Sequence, residues 1–151
     1  MKLTVLKCSQ YPNAEADQGE HNLTYSIMAY EGDFREAGLI NESYALNQPL
    51  VVKNVAAQSG TVADNYSLVS CDKQNVIIET VKKAEQDNGM IVRMYDAFNR
   101  RTNATLTVAD GFNKAYLCDL MENELQELQL SGNKVTVPVS NFEIVTLKFG
   151  K

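Results

Sequence analysis

Apolar and polar residues alternate along most of this chain, and the alternation predicts strands. One sharp example follows a polar loop: Leu23, Tyr25, Ile27 and Ala29 fall on one face, and Asn22, Thr24, Ser26 and Met28 on the other. That is the period of two expected when one face of a strand is buried. Leu3 to Cys8 predicts an earlier strand, followed by a turn at Tyr11-Pro12-Asn13. Further short strands are predicted at 50–55, 66–71, 75–82, 90–98, 102–108, 115–120, 125–130, 134–139 and 143–149, with a polar loop over 54–65.

One stretch changes period. Phe34, Ala37, Leu39, Ile40, Tyr44 and Leu46 recur at helical spacing, and Asp33-Phe34-Arg35-Glu36 has the spacing of a capping box with Asp33 as N-cap. Pro49 stops the helix, so one short helix is predicted at about 33–47, although Gly38 inside it costs about 1 kcal/mol of propensity. Two hairpins stand out. Asn88-Gly89 sits between two strands, and Val135, Val137 and Val139 alternate toward a last strand in which Val145, Leu147 and Phe149 supply the matching inward face. Pro138 cannot donate to a ladder, so its strand belongs at an edge or points that position outward. Short antiparallel strands every eight to twelve residues, with one helix, predict a mainly β protein: an antiparallel β-sandwich forming a single unit through residues 1–151.

Composition narrows the classes. The length of 151 residues suits one domain burying about two thirds of its unfolded surface, and 44% hydrophobic content with a formal charge of −5 suits a globular protein. The acidic balance, with basic residues no more clustered than Lys82-Lys83 and Arg100-Arg101, argues against nucleic acid. No apolar run approaches the roughly 20 residues needed to span a bilayer, so no membrane partner is expected. Met1 to Lys7 lacks the apolar core and cleavage site of a signal peptide, and Cys8, Cys71 and Cys118 are odd in number and widely spaced. Both features lead to the expectation of reduced thiols and a cytoplasmic location. The sequons at Asn22, Asn41, Asn65 and Asn103 are then incidental.

The candidate chemistry lies in the loop before Leu23, where Asp17 and Glu20 flank His21, the single histidine of the chain. Carboxylate and imidazole can ligate a divalent metal, and two neighbouring carboxylates can act as glycosidase acid and nucleophile. One histidine with no nearby cysteine is a thin ligand set, however, and 19 acidic residues bring several such pairs together on any surface. The plainer reading is that Asp17 and Gly19 shape a turn and His21 hydrogen-bonds a backbone group. No Gly-x-Ser-x-Gly elbow, Gly-x-Gly-x-x-Gly or Walker pattern is present. The seven tyrosines could include sugar-stacking platforms, but on alternating strands they read first as core or cross-strand packing.

The same loop carries a resemblance. Ala16-Asp17-Gln18-Gly19-Glu20-His21 with Thr24-Tyr25-Ser26, then Glu31-Gly32-Asp33-Phe34-Arg35 and Tyr44 to Leu50, resembles the C-terminal part of glycoside hydrolase family 38 α-mannosidases. Val76 to Glu85, Ile91 to Ala97 with Arg100-Arg101, and Asp119-Leu120-Met121-Glu122 continue it in the same order, nearest to the bacterial and cytosolic branch. Ala29-Tyr30 stands where members often carry Pro-His, and Leu23 where they carry Phe, so no role is carried over to Tyr30. The resemblance implies an exo-acting, retaining enzyme that removes terminal α-linked mannose, with its catalytic aspartate and zinc in an N-terminal α/β barrel. It makes this chain an accessory C-terminal β portion, excised or truncated, with Met1 as a cloning start, and neither catalytic nor metal-binding alone. Expected partners are that barrel and mannose-containing glycans. Asp17, Glu20 and His21 are expected to shape the rim of the substrate pocket or the contact between domains. The alternatives from other classes are an autonomous carbohydrate-binding module and a purely structural sandwich whose uncovered face favours self-association.

Overall fold

The computed structural model describes residues 2–151. They divide into two compact units, the first ending at Pro49 and the second covering Leu50–Lys151.

The second unit contains all the strands: β1 (Val69–Cys71), β2 (Val76–Lys83), β3 (Met90–Asp96), β4 (Thr102–Val108), β5 (Lys114–Cys118), β6 (Glu124–Leu128), β7 (Lys134–Val139) and β8 (Ile144–Gly150). They form a three-stranded sheet in the order β1-β4-β7 and a five-stranded sheet in the order β2-β3-β8-β5-β6, with every neighbouring pair antiparallel. Between the sheets lies one core that includes Val92, Met94, Leu106, Val135, Val137, Leu147 and Phe149, each 2% exposed or less. The fold is the mainly β, two-sheet architecture that the alternation predicts.

The expected hairpin at Asn88-Gly89 forms: β2 and β3 pair from Lys83↔Met90 outward, and the Ala84 amide donates to the Gly89 carbonyl at 2.8 Å. A Cβ at Gly89 would stand 3.1 Å from the Phe149 carbonyl oxygen, so any other residue would crowd the main chain of β8 here.

The second expected hairpin does not form. β7 pairs with β4 and β8 with β3 and β5, so the two strands lie in opposite sheets. The physical reason is the burial of β8, whose residues Val145 to Phe149 are buried on both faces. Such a strand needs a neighbour on each edge and a central place, whereas β7 alternates buried and exposed and stands at a sheet edge. Pro138 accordingly sits on that edge strand, opposite Asn103.

Ile91, Cys118, Thr146 and Lys148 point away from the core yet are buried, at 0%, 5%, 2% and 9% exposure. A strap, Asp119 to Asn123, is bonded to β2, β3 and the turn between them. The Arg93 guanidinium donates to the Leu120 carbonyl at 3.1 Å, and Glu122 reaches β2, where Lys82 Nζ is 2.7 Å from Oε1 and the Glu85 amide donates to Oε2 at 2.8 Å. Asp119 shapes the strap by accepting from the amides of Met121 and Asn123, both at 2.9 Å.

In the first unit, the helix is α1 (Leu39–Asn47), shorter than the expected span. Residues 34–38 are turns, and Oδ1 of Asp33 before them accepts from the Arg35 amide at 2.8 Å. Gly38 occupies the N-cap with φ 71°, a left-handed backbone that ends the turns and begins the helix. The helix breaker foreseen in mid-helix is therefore its boundary. Leu3 to Cys8 and Leu23 to Ala29 form no ladder, and neither does Leu50 to Val55 in the second unit. Alternation sets which face a strand would bury, but a strand exists only where another edge accepts its hydrogen bonds.

Candidate functional site

The Asp17–His21 loop belongs to a folded turn that begins at Cys8. Ser9 Oγ donates to the Tyr11 carbonyl at 2.6 Å, and the Tyr11-Pro12 peptide is cis. Asn13 then accepts from the Glu15 amide through Oδ1 at 3.0 Å and from the Ala16 amide through its carbonyl at 3.2 Å. Asp17 turns left-handed, with φ 57°, a conformation Asp tolerates better than most residues, and Gly19 follows with φ 130°.

That reversal turns the Asp17 carbonyl toward both ends of the loop. His21 Nε2 lies 2.8 Å from it, and Cys8 Sγ, a weak donor, lies 3.7 Å away. A carbonyl oxygen only accepts, so Nε2 carries the proton and neutral His21 keeps Nδ1 as its acceptor. The imidazole is thereby oriented by the main chain of Asp17 rather than by its carboxylate. Asp17, Glu20 and His21 are all exposed, and no ion pair among the described residues joins them. The three are neighbours in one loop, not a charge-coupled cluster. Among the described residues, no group of three or more His, Cys, Asp and Glu side chains is placed to hold a metal ion. Nor is any helix among them long and apolar enough to cross a membrane.

The tyrosines depart from the packing expectation. Tyr11, Tyr25, Tyr30 and Tyr66 are exposed, and Tyr44, Tyr95 and Tyr116 are half-buried.

Two polar clusters escaped the sequence reading, both in the β-sandwich. At the end of β3, Asp96 is 1% exposed and its carboxylate accepts four hydrogen bonds. Oδ1 takes Asn75 Nδ2 at 2.7 Å and the Phe98 amide at 3.3 Å, while Oδ2 takes the Arg100 amide at 2.9 Å and the Phe142 amide at 3.0 Å. Burial alone pushes this carboxyl up, but the bonds from Asn75, Phe142, Arg100 and Phe98 outweigh it and hold it below the ordinary value. Asp96 thus ties the start of β2, the end of β3 and the crossing between the sheets to one carboxylate. The available signal was an acid closing an apolar strand with asparagines at 75, 99 and 141, but sequence spacing does not show that these converge.

The other cluster is cationic at its centre. Lys148 is held by Asp87 at 2.6 Å and Glu124 at 2.7 Å, and these two carboxylates raise its pKa. Lys82 lies between Glu122 and Glu85, which raise its pKa as well. The arrangement latches the β5–β6 connection and the β2–β3 hairpin onto one sheet face.

Comparison with known proteins agrees with this architecture. Residues 75–147 match the family model described as "Glycosyl hydrolases family 38 C-terminal beta sandwich domain", a range that runs from the residue before β2 into β8. The chain is 33% identical to "Alpha-mannosidase 2C1" of Homo sapiens, 32% to its Mus musculus counterpart and 28% to "Alpha-mannosidase G" of Dictyostelium discoideum, in each case over 97% of its own length. It spans 14% of the length of each of these relatives. The β-sandwich segment at 75–147 belongs to the glycoside hydrolase family 38 C-terminal β-sandwich domains.

Proposed function

We propose that this chain is the accessory C-terminal β region of an exo-acting, retaining α-mannosidase that hydrolyses terminal α-linked mannose, and that it is inactive alone. In this reading it packs on a zinc-containing catalytic barrel elsewhere in the parent polypeptide, in the cytoplasm, and lends the Asp17–His21 loop to the rim of the active site. The observation that carries the reading is the extent of the likeness to α-mannosidases: it runs through both units and includes the loop, rather than stopping at the β-sandwich. The loop's geometry supports the rim role. His21 is oriented through Nε2, so Nδ1 is available to a sugar hydroxyl, and the exposed carboxylates of Asp17 and Glu20 are acceptors of the same kind.

The test is His21→Ala in the complete enzyme. One lost hydrogen bond to substrate lowers kcat/KM by about tenfold, or ~1.4 kcal/mol. A fall of less than about threefold, under ~0.7 kcal/mol, removes the pocket role. Turnover of an aryl mannoside by the 151-residue chain itself would overturn its non-catalytic assignment.

A second reading, a sugar-binding module, is favoured by the exposure of Tyr11, Tyr25 and Tyr66 at 88%, 66% and 63%, since stacking platforms must be open. Titration with millimolar mannose decides it: shifts in the tyrosine ring resonances support it, and their absence ends it.

A further inference from the structure

Two stretches of this chain carry the same alternating pattern and meet opposite fates. Val135, Val137 and Val139 of β7 are each 2% exposed, because β4 accepts the strand's hydrogen bonds and the opposite sheet covers its apolar face. Leu23, Tyr25 and Ile27 are 54%, 66% and 75% exposed, and their segment pairs with no strand among the described residues. Backbone groups there face water, and an apolar face of three large side chains stays uncovered. Beside the segment runs an open groove of about 520 Å³, lined by Ile27, Met28, Leu39, Ala45 and Leu46 together with polar residues of α1.

We propose that Leu23 to Ala29 is a β-strand donated to a sheet edge in the remainder of the parent polypeptide, with Leu23, Tyr25 and Ile27 as its buried face. The strand follows directly on His21, so its docking sets where the Asp17–His21 loop sits. The proposal rests on the accessory-domain reading and adds the mode of attachment. Strand addition suits the segment because main-chain hydrogen bonds supply affinity while alternate side chains supply register.

Length favours this occupant over a second copy of the chain, and in-register parallel self-pairing would also stack Glu20 on Glu20. The relatives carry about six-sevenths of their length outside the region matched here, at 14% coverage. That is ample chain to provide a sheet edge.

Hydrogen–deuterium exchange, followed by mass spectrometry on the 151-residue chain and on the complete parent enzyme, tests the proposal. The expected result is exchange of the 23–29 amides at close to the rate of unstructured peptide in the isolated chain and at least about 100-fold slower in the parent. Ile27→Asp in the parent is expected to abolish that protection. Equal rates in the two proteins would overturn the proposal, as would protection already present in the dilute isolated chain. Protection that appears only as the isolated chain is concentrated would identify a second copy as the occupant and overturn it too. The function reading fails separately: a parent that protects 23–29 but does not hydrolyse mannosides supports the strand and removes the mannosidase.

Discussion

Replacing Asp96 by Asn is the most exacting test of the sandwich. The carboxylate presents two acceptor oxygens to four donors, two on each. An amide keeps one oxygen and turns a donor toward the other pair. The least costly orientation faces that NH2 toward Asn75, whose own amide can rotate to accept, and leaves the Phe98 amide, already the longest bond at 3.3 Å, without its acceptor. The bonds that survive are no longer made to an ion. One unmade buried bond and several weakened ones bring the expected loss to about 2–3 kcal/mol, and Asp96→Ala, which strips all four donors, to about 4 kcal/mol. Asp119→Asn is the control: its remaining oxygen can still accept from the Met121 and Asn123 amides, both of which bond Oδ1, and only the Asn123 side chain on Oδ2 must rotate, so its cost is expected to be clearly smaller than that of Asp96→Asn. Urea unfolding followed by far-UV circular dichroism reads these differences, as the chain has no tryptophan. pH supplies an independent arm. The folded carboxyl lies below its ordinary value of 3.8, so the unfolded state binds the proton more readily. The contribution is thus complete above about pH 4 and is lost as pH falls through the lower folded value, where the gap between wild type and Asp96→Asn narrows. A loss below about 1 kcal/mol for Asp96→Asn, or one equal to that of Asp119→Asn, would refute the reasoning.

Lys148→Met keeps the aliphatic stem over the sheet but leaves Asp87 and Glu124 without their cation; because both are about half exposed, the expected cost is about 1 kcal/mol, shrinking in 1 M salt. The raised folded pKa of Lys148 means that this contribution is intact below the ordinary lysine value and is lost only as pH rises through the folded one, so no effect of pH on the difference is expected between 6 and 9. Phe142 holds φ 52° at the crossing between the sheets with its ring 63% exposed, so Phe142→Gly relieves left-handed strain and is expected to stabilise the isolated chain by about 1 kcal/mol in the same urea assay. A loss of stability would show instead that the ring contributes packing there.

Strand positions from β2 onward were legible because each pairs with segments whose own pattern is equally plain. What the sequence could not show was which partner each strand takes. Val135 to Val139 and Val145 to Phe149 read as a hairpin because adjacency and matching inward faces are satisfied equally well by one sheet and by two sheets facing each other. Only the burial of β8 on both sides decides for the second, and that burial is not visible in the spacing of one strand. The Asp96 knot was hidden for a similar reason. Its donors come from residues 75, 98, 100 and 142, and all but one are main-chain amides, which leave no mark on a sequence.

The Asp17–His21 loop shows the same limit from the other side. Read as side chains, a histidine between two acids suggests proton transfer or metal ligation, both of which require the three groups to act on one another. The geometry gives His21 a main-chain partner instead, the carbonyl four residues back, and leaves both carboxylates in solvent. Hydroxyl recognition needs only oriented acceptors brought against a ligand by a second surface. His21 has the orientation, and under the strand proposal above the segment that follows it delivers that orientation to another body. If strand and loop dock together, His21→Ala and Ile27→Asp should both lower kcat/KM of the parent, but only Ile27→Asp should release the amides of 23–29. That separation distinguishes a residue that touches sugar from one that holds the loop in place.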